Sequence, residues 1–188
     1  MKEIALHVLD ITENSLDAGA TMIRINIKLT SKGMLEISIQ DNGRGMDKET
    51  LDRTADPFFT SRTTRRVGMG IPMFRQHAEL TGGNLEIFSK QGSGTTVKAT
   101  FIIGHADIQP IGDIEGCWTM LAALHNKVDT ILHCETPEGE FEISSEQVKQ
   151  ELEVENIEQP TLKADLKRLI RNNLLAIGLT DKIIDNKK

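Results

Sequence analysis

Over residues 2–17 the apolar side chains Ile4, Val8 and Ile11, and beside them Leu6, Leu9 and Leu16, recur at helical spacing, and Gly19 follows as a stop. The pattern predicts an amphipathic helix. His7, Asp10, Asn14 and Asp17 stand three or four positions apart on its other side, where they project together toward solvent or a ligand. Strict alternation then takes over. Ile23, Ile25, Ile27 and Leu29 alternate with Arg24, Asn26 and Lys28, and a second alternating run covers 35–39 beyond the turn Thr30-Ser31-Lys32-Gly33, which predicts a hairpin. A loop at 41–45, a short helix over 47–54 and an irregular basic stretch ending at Gly68 come next. A second helix is predicted over 69–81, with Pro72 in its first turn and Gly82-Gly83 at its end. A second hairpin, with strands over 84–89 and 95–103, turns at Gln91-Gly92-Ser93-Gly94.

That order of helices and hairpins is the order of a two-layer α/β (α+β) sandwich, a mixed, largely antiparallel sheet with helices on one face. The unit is expected to occupy residues 1–104. Beyond Pro110 the pattern restarts, with a helix over 114–125, strands over 128–134 and 140–143 around the turn Pro137-Glu138-Gly139, and helices over 145–151 and 161–175. Residues 105–188 are therefore expected to form a small α+β extension.

At 188 residues the chain can bury a real core, and none of its apolar runs approaches the roughly 18 residues of a membrane helix. Charge enters at Lys2 and Glu3 and no small-residue cleavage pattern comes after it, so a cytoplasmic protein with no membrane association is expected. The 22 basic against 28 acidic residues give a net charge of −6, which repels a polyanion and argues against nucleic acid as a partner. Cys117 and Cys134 read as reduced core thiols.

Four short segments hold the side chains suited to chemistry. Taken alone, Glu13-Asn14-Ser15-Leu16-Asp17-Ala18-Gly19-Ala20 is a helix end, Asp41-Asn42-Gly43-Arg44-Gly45 a turn, Gly68-Met69-Gly70 a flexible lead into a helix, and Gly92-Ser93-Gly94-Thr95-Thr96 a hairpin loop. Their order and spacing resemble the GHKL ATP-binding fold shared by histidine kinases, MutL-type mismatch-repair ATPases, gyrase and anti-sigma-factor kinases. The likeness runs from about Ile4 to Phe101. Its first segment is most similar to the MutL version, whereas the run from Pro57-Phe58-Phe59-Thr60-Ser61 onward, Gly82-Gly83 included, resembles a histidine kinase.

The resemblance implies a site for ATP and Mg²⁺. It places Asn14 on the magnesium, for which a side-chain carbonyl is a suitably hard ligand. It places Asp41 on the adenine amino group, since an ionised carboxylate only accepts hydrogen bonds. Gly43, Gly45 and Met46 would line the base, and Thr95 would complete the adenine contact directly or through a water. Gly68, Met69, Gly70 and Ile71 would offer the phosphates a helix N-terminus with its unpaired N–H groups. Arg62, Arg65 and Arg66 would approach the same phosphates from the lid, where guanidinium forks suit phosphate oxygens. Phe58 and Phe59 would anchor that lid.

Departures from the family pattern carry their own expectations. Hydrolytic members and anti-sigma-factor kinases place a glutamate general base four residues before the asparagine; here Asp10 stands there, with the right chemistry and one methylene less reach. Glu13 points about 100° away around the helix. His7 shares the Asp10 side and is expected near the rim. Arg66 replaces a glycine usual in histidine kinases. Because the ATP-site helix opens the chain, the helical hairpin that displays a sensor kinase's phospho-accepting histidine is not expected, and His105, His125 and His133 sit in no phospho-acceptor motif. A short lid, the acidic balance and the lack of a second domain argue against a repair role. The expected function is that of a Mg-ATP-binding regulatory protein that phosphorylates or regulates a protein partner, with homodimerisation left open. The alternatives are a non-catalytic ATP-dependent switch and a slow ATPase.

Overall fold

Each alternating run forms a strand and each run of helical period a helix in the computed structural model, which describes residues 2–54 and 70–181. In chain order the elements are α1 (Ile4–Asp17), β1 (Met22–Leu29), β2 (Met34–Asp41), α2 (Lys48–Arg53), α3 (Gly70–Leu80), β3 (Asn84–Lys90), β4 (Gly94–Ile102), α4 (Ile114–Leu124), β5 (Asp129–Thr136), β6 (Gly139–Ser144), α5 (Ser145–Glu151) and α6 (Pro160–Ala176). All six strands share one sheet in the order β3-β4-β2-β1-β5-β6, antiparallel throughout except where β1 meets β5.

The register explains why helices lie on one face only. Ile87, Val97, Ile39, Ile25, Leu132 and Ile143 form one row across all six strands, and Leu85, Ala99, Ile37, Ile27, Cys134 and Phe141 form the next. Side chains alternate between faces with period two, so both rows point the same way. Against them pack Ile4, Val8 and Ile11 of α1, Phe74 and Ala78 of α3 and Trp118 and Leu121 of α4, and Leu166, Ile170 and Leu174 of α6 join the same core with α6 lying against α4. The residues between these rows make the opposite face polar. Arg24–Glu142, Lys28–Glu135 and Lys98–Glu36 pair there at 2.7, 2.8 and 2.8 Å. Such half-exposed pairs contribute little stability, but they keep that face wet.

The strands beyond residue 104 thus continue the sheet at the free edge of β1. Trp118 is fully buried under them and donates its indole N–H to the Thr130 carbonyl at 3.0 Å. The linking segment also caps α1: the N–H groups of Ile4 and Ala5, which lack intrahelical acceptors, donate to the carbonyls of Pro110 and Ile111 at 3.0 and 2.8 Å. Ile111 and Gly112 in turn donate to Asp181 Oδ1 at 2.8 and 3.3 Å. Cys117 and Cys134 are buried free thiols, and burial pushes them up to about 11 and about 12, so neither forms a thiolate at neutral pH. No described helix is long and apolar enough to cross a membrane.

Candidate functional site

Asp41 is the last residue of β2 and stands opposite Thr95, the second residue of β4. Asp41 is 7 % exposed. Oδ1 accepts the N–H groups of Gly43 at 2.9 Å and Thr95 at 3.2 Å, and Oδ2 accepts the hydroxyl of Ser15 at 2.7 Å. The loop after Asp41 is threaded between the end of α1 and the β3–β4 turn. Arg44 N–H donates to the Ala18 carbonyl at 3.0 Å, and the Arg44 carbonyl accepts from Gly92 N–H at 2.7 Å.

Glycine is required where this loop passes so close. Gly45 has φ +64° and a Cβ there would overlap the Lys90 carbonyl; Gly94 has φ +92° and a Cβ there would overlap the Asp41 carbonyl. At Gly43 a Cβ would come within 3.0 Å of Ala18. Met46 donates its N–H to Ser89 Oγ at 2.8 Å, and the same hydroxyl lies 2.8 Å from Thr95 Oγ1 and 3.1 Å from the Gly94 carbonyl. Asn42 closes the loop from behind, its Oδ1 accepting from Thr21 and Met22 at 2.9 and 3.0 Å.

Helix α1 supplies the other wall. Asn14 is half-buried, and among the described residues nothing bonds its side-chain amide. Asp10 lies one turn earlier, half-buried, and a Cβ on Gly70 would overlap its carboxylate, so α3 begins directly against Asp10. Ile71 packs on the core beside it. Asp10 and Asn14 thus lie on α1, Asp41 at the end of β2 with Gly43, Gly45 and Met46 in the loop after it, Thr95 opposite on β4, and Gly70 and Ile71 at the start of α3. Phe58, Phe59, Arg62, Arg65, Arg66, Gly68 and Met69 lie outside the described residues. Among the described residues no group of three His, Cys, Asp or Glu is placed to hold a metal ion. A cation at Asn14 would therefore take its remaining oxygens from a ligand and water, which is how Mg²⁺ is commonly held on phosphates.

His7 corrects the expectation of a rim position: it is 0 % exposed. Helix α3 covers that side of α1, so the His7 ring stacks on Phe74 at 5.0 Å and its Nε2 meets His77 Nδ1 at 2.8 Å. Burial, with the His77 ring beside it, pushes His7 down to about 4, so it is a neutral tie between helices and no acid or base for the site.

Three contributors escape a reading by motif: Ser15, Ser89 and Asn42. Ser15 carries a detectable signal, because it continues the stripe of Ile4, Val8 and Ile11 into the core. A hydroxyl on a buried stripe needs a partner. Ser89 and Asn42 show no such signal, since hydroxyl and amide residues are ordinary at strand ends and turns.

A family model described as histidine kinase-, DNA gyrase B- and HSP90-like ATPase matches residues 2–104. The sensor protein kinase FleS of Pseudomonas aeruginosa is 35% identical over 112 residues, covering 57% of this chain and 26% of its own length. The non-motile and phage-resistance protein of Caulobacter vibrioides is 33% identical over 96 residues, covering 48% of this chain and 11% of its own. The DNA mismatch repair protein MutL of Lactobacillus acidophilus is 31% identical over 108 residues, covering 52% and 16%. The chain therefore spans between 11% and 26% of the length of these curated relatives. A crystal structure of the N-terminal domain of a DNA repair protein shares the fold, with a TM-score of 0.51 at 18% identity over 77% of this chain and 52% of that one.

Proposed function

Because the chain belongs to the histidine kinase-, DNA gyrase B- and HSP90-like ATPase family, we propose that it binds Mg-ATP between Asp41 and Asn14 and uses the nucleotide to act on a protein partner. The observation that carries the nucleotide reading is the Asp41 carboxylate, buried yet held in place by three donors beside Thr95. A carboxylate so fixed selects a donor such as the adenine amino group. Gly43 and Gly45 let the backbone run flat past the base, and Asn14 offers a carbonyl oxygen to the metal. Bound Mg²⁺ would neutralise charge on the phosphate oxygens.

The kinase relatives support phosphoryl transfer to a protein acceptor as the use made of that ATP. The acceptor atom would bond to the γ-phosphorus as the bond to the β–γ bridging oxygen breaks, with ADP leaving and the acceptor's proton passing to Asp10. Such a transfer asks mainly for positioning and charge neutralisation. One observation favours a second reading, a nucleotide switch: the Asp10 carboxylate is packed against Gly70 where α3 begins. In that place it can hold the start of α3 according to what occupies the site.

Calorimetry with Mg-ATP tests the binding claim, and the absence of any heat with folded protein would end it. Incubation with γ-labelled ATP and co-purifying proteins separates the two uses. Label on a protein, lost in Asp10→Ala, supports transfer; negligible label, with partner affinity that differs between ATP and ADP, supports the switch.

A further inference from the structure

We propose that Ser15 sets the base specificity of this site by fixing the hydrogen-bonding pattern of Asp41, a positioning role that rests on the nucleotide reading above. An ionised carboxylate offers about four lone-pair directions. The N–H groups of Gly43 and Thr95 take both on Oδ1, and the Ser15 hydroxyl takes one on Oδ2. One direction is left, on Oδ2. It fits a single N–H of an exocyclic amino group and rejects a carbonyl edge, which would bring lone pairs against lone pairs.

The hydroxyl has one proton and two candidate acceptors. Asp41 Oδ2 at 2.7 Å outcompetes the Ile11 carbonyl at 3.4 Å, because hydrogen bonds weaken steeply beyond about 3 Å. Ser15 is 3 % exposed and Asp41 7 %, so solvent does not stand in for the bond. Without Ser15 the carboxylate keeps two partners on one oxygen only and is free to swing its second oxygen. Ser15 also comes directly after Asn14 on α1. The group that aims the base reader and the group offered to the metal therefore ride on one turn of helix, which fixes the span between base and phosphates.

Competition binding of Mg-ATP, Mg-GTP and the magnesium salt of purine riboside triphosphate, which lacks the amino group, tests this on the full chain and on Ser15→Ala. The unmodified protein is expected to prefer ATP to both others. In Ser15→Ala, ATP binding falls about tenfold or more while purine riboside triphosphate stays within about twofold, so the preference collapses. Ser15→Thr, which keeps the hydroxyl, restores the preference. Should Ser15→Ala unfold in a thermal melt, Ser15→Cys, which fills the same space with a weak donor, is expected to show the same loss of discrimination. The proposal is overturned if the variant keeps the ATP preference, or if all three affinities fall alike, as a packing defect would make them. Protein with native Ser15 that binds none of the three removes the nucleotide reading itself, and this inference with it.

Discussion

Asp41→Asn is the substitution that bears hardest on the site. An amide in that place either sets an NH₂ against the Gly43 and Thr95 N–H groups, donor against donor, or turns it to the Ser15 hydroxyl. In the second case the hydroxyl must accept and give up its own bond to residue 41, while an N–H replaces the lone pair that faces the base. Leaving such a group unsatisfied costs roughly 1–3 kcal/mol, and losing a charge-assisted contact to the base removes about ten- to a hundredfold in affinity. Urea denaturation and calorimetry with Mg-ATP measure the two effects separately. Gly94→Ala should destabilise by about 2 kcal/mol without touching a ligand, because it combines φ +92° with overlap of the Asp41 carbonyl; a shift in the denaturation midpoint checks it. Asp41, Asn14 and Thr95 stand out in the sequence because a carboxylate, an amide and a hydroxyl fall in segments that resemble a family's motifs, and the structure sets Asp41 opposite Thr95. Ser15 shows in the sequence only as a hydroxyl on a buried stripe and Ser89 not at all, since a single hydroxyl's role emerges only once its partner, 26 residues away for Ser15, is known. His7 misled for the converse reason: a polar residue on a helix wheel reads as exposed until the helix that covers it, α3, is placed.

At the scale of elements, the α1–α3 contact is held by buried rings, and they set how it responds to pH. His7 sits at about 4 when folded against 6.5 for an unperturbed ring, and burial also lowers His77. The folded state therefore binds fewer protons than the unfolded chain in that window. Its stability is full above about pH 6.5 and falls as the pH drops toward 4, by up to about 1.4 kcal/mol per pH unit. Urea midpoints measured from pH 7 to 4.5 should show the fall, and His7→Phe, which keeps a ring stacked on Phe74, should flatten it. Gly70→Ala acts at the other end of the same contact. Its Cβ would push the Asp10 carboxylate out of its present place, so Mg-ATP affinity should drop severalfold with little change in melting temperature. Strand limits were readable to within a residue or two because alternation ends where burial ends. The parallel pairing of β1 with β5 was not, because alternation tells which face of a strand is buried and says nothing of its neighbour.

For the whole molecule, the continuous sheet makes the family-matched part dependent on the strands and helices beyond residue 104. A chain cut there would leave β1 with a row of unpaired N–H and C=O groups, would strip Leu132 and Cys134 from beside Ile25 and Ile27, and would remove the caps on Ile4 and Ala5. Such fragments are expected to elute as oligomers on size exclusion and to melt well below the full chain; a monomeric fragment of equal stability would contradict this. The same topology has a temporal side during synthesis. The segment that covers the β1 edge starts 100 residues after that strand ends, 129 − 29 = 100. At roughly 5–20 residues per second, a ribosome takes on the order of 5–20 s to deliver it. For that interval the emerging polypeptide displays a bare strand, with Arg24 and Lys28 as its charged gatekeepers against a neighbour on the same polysome.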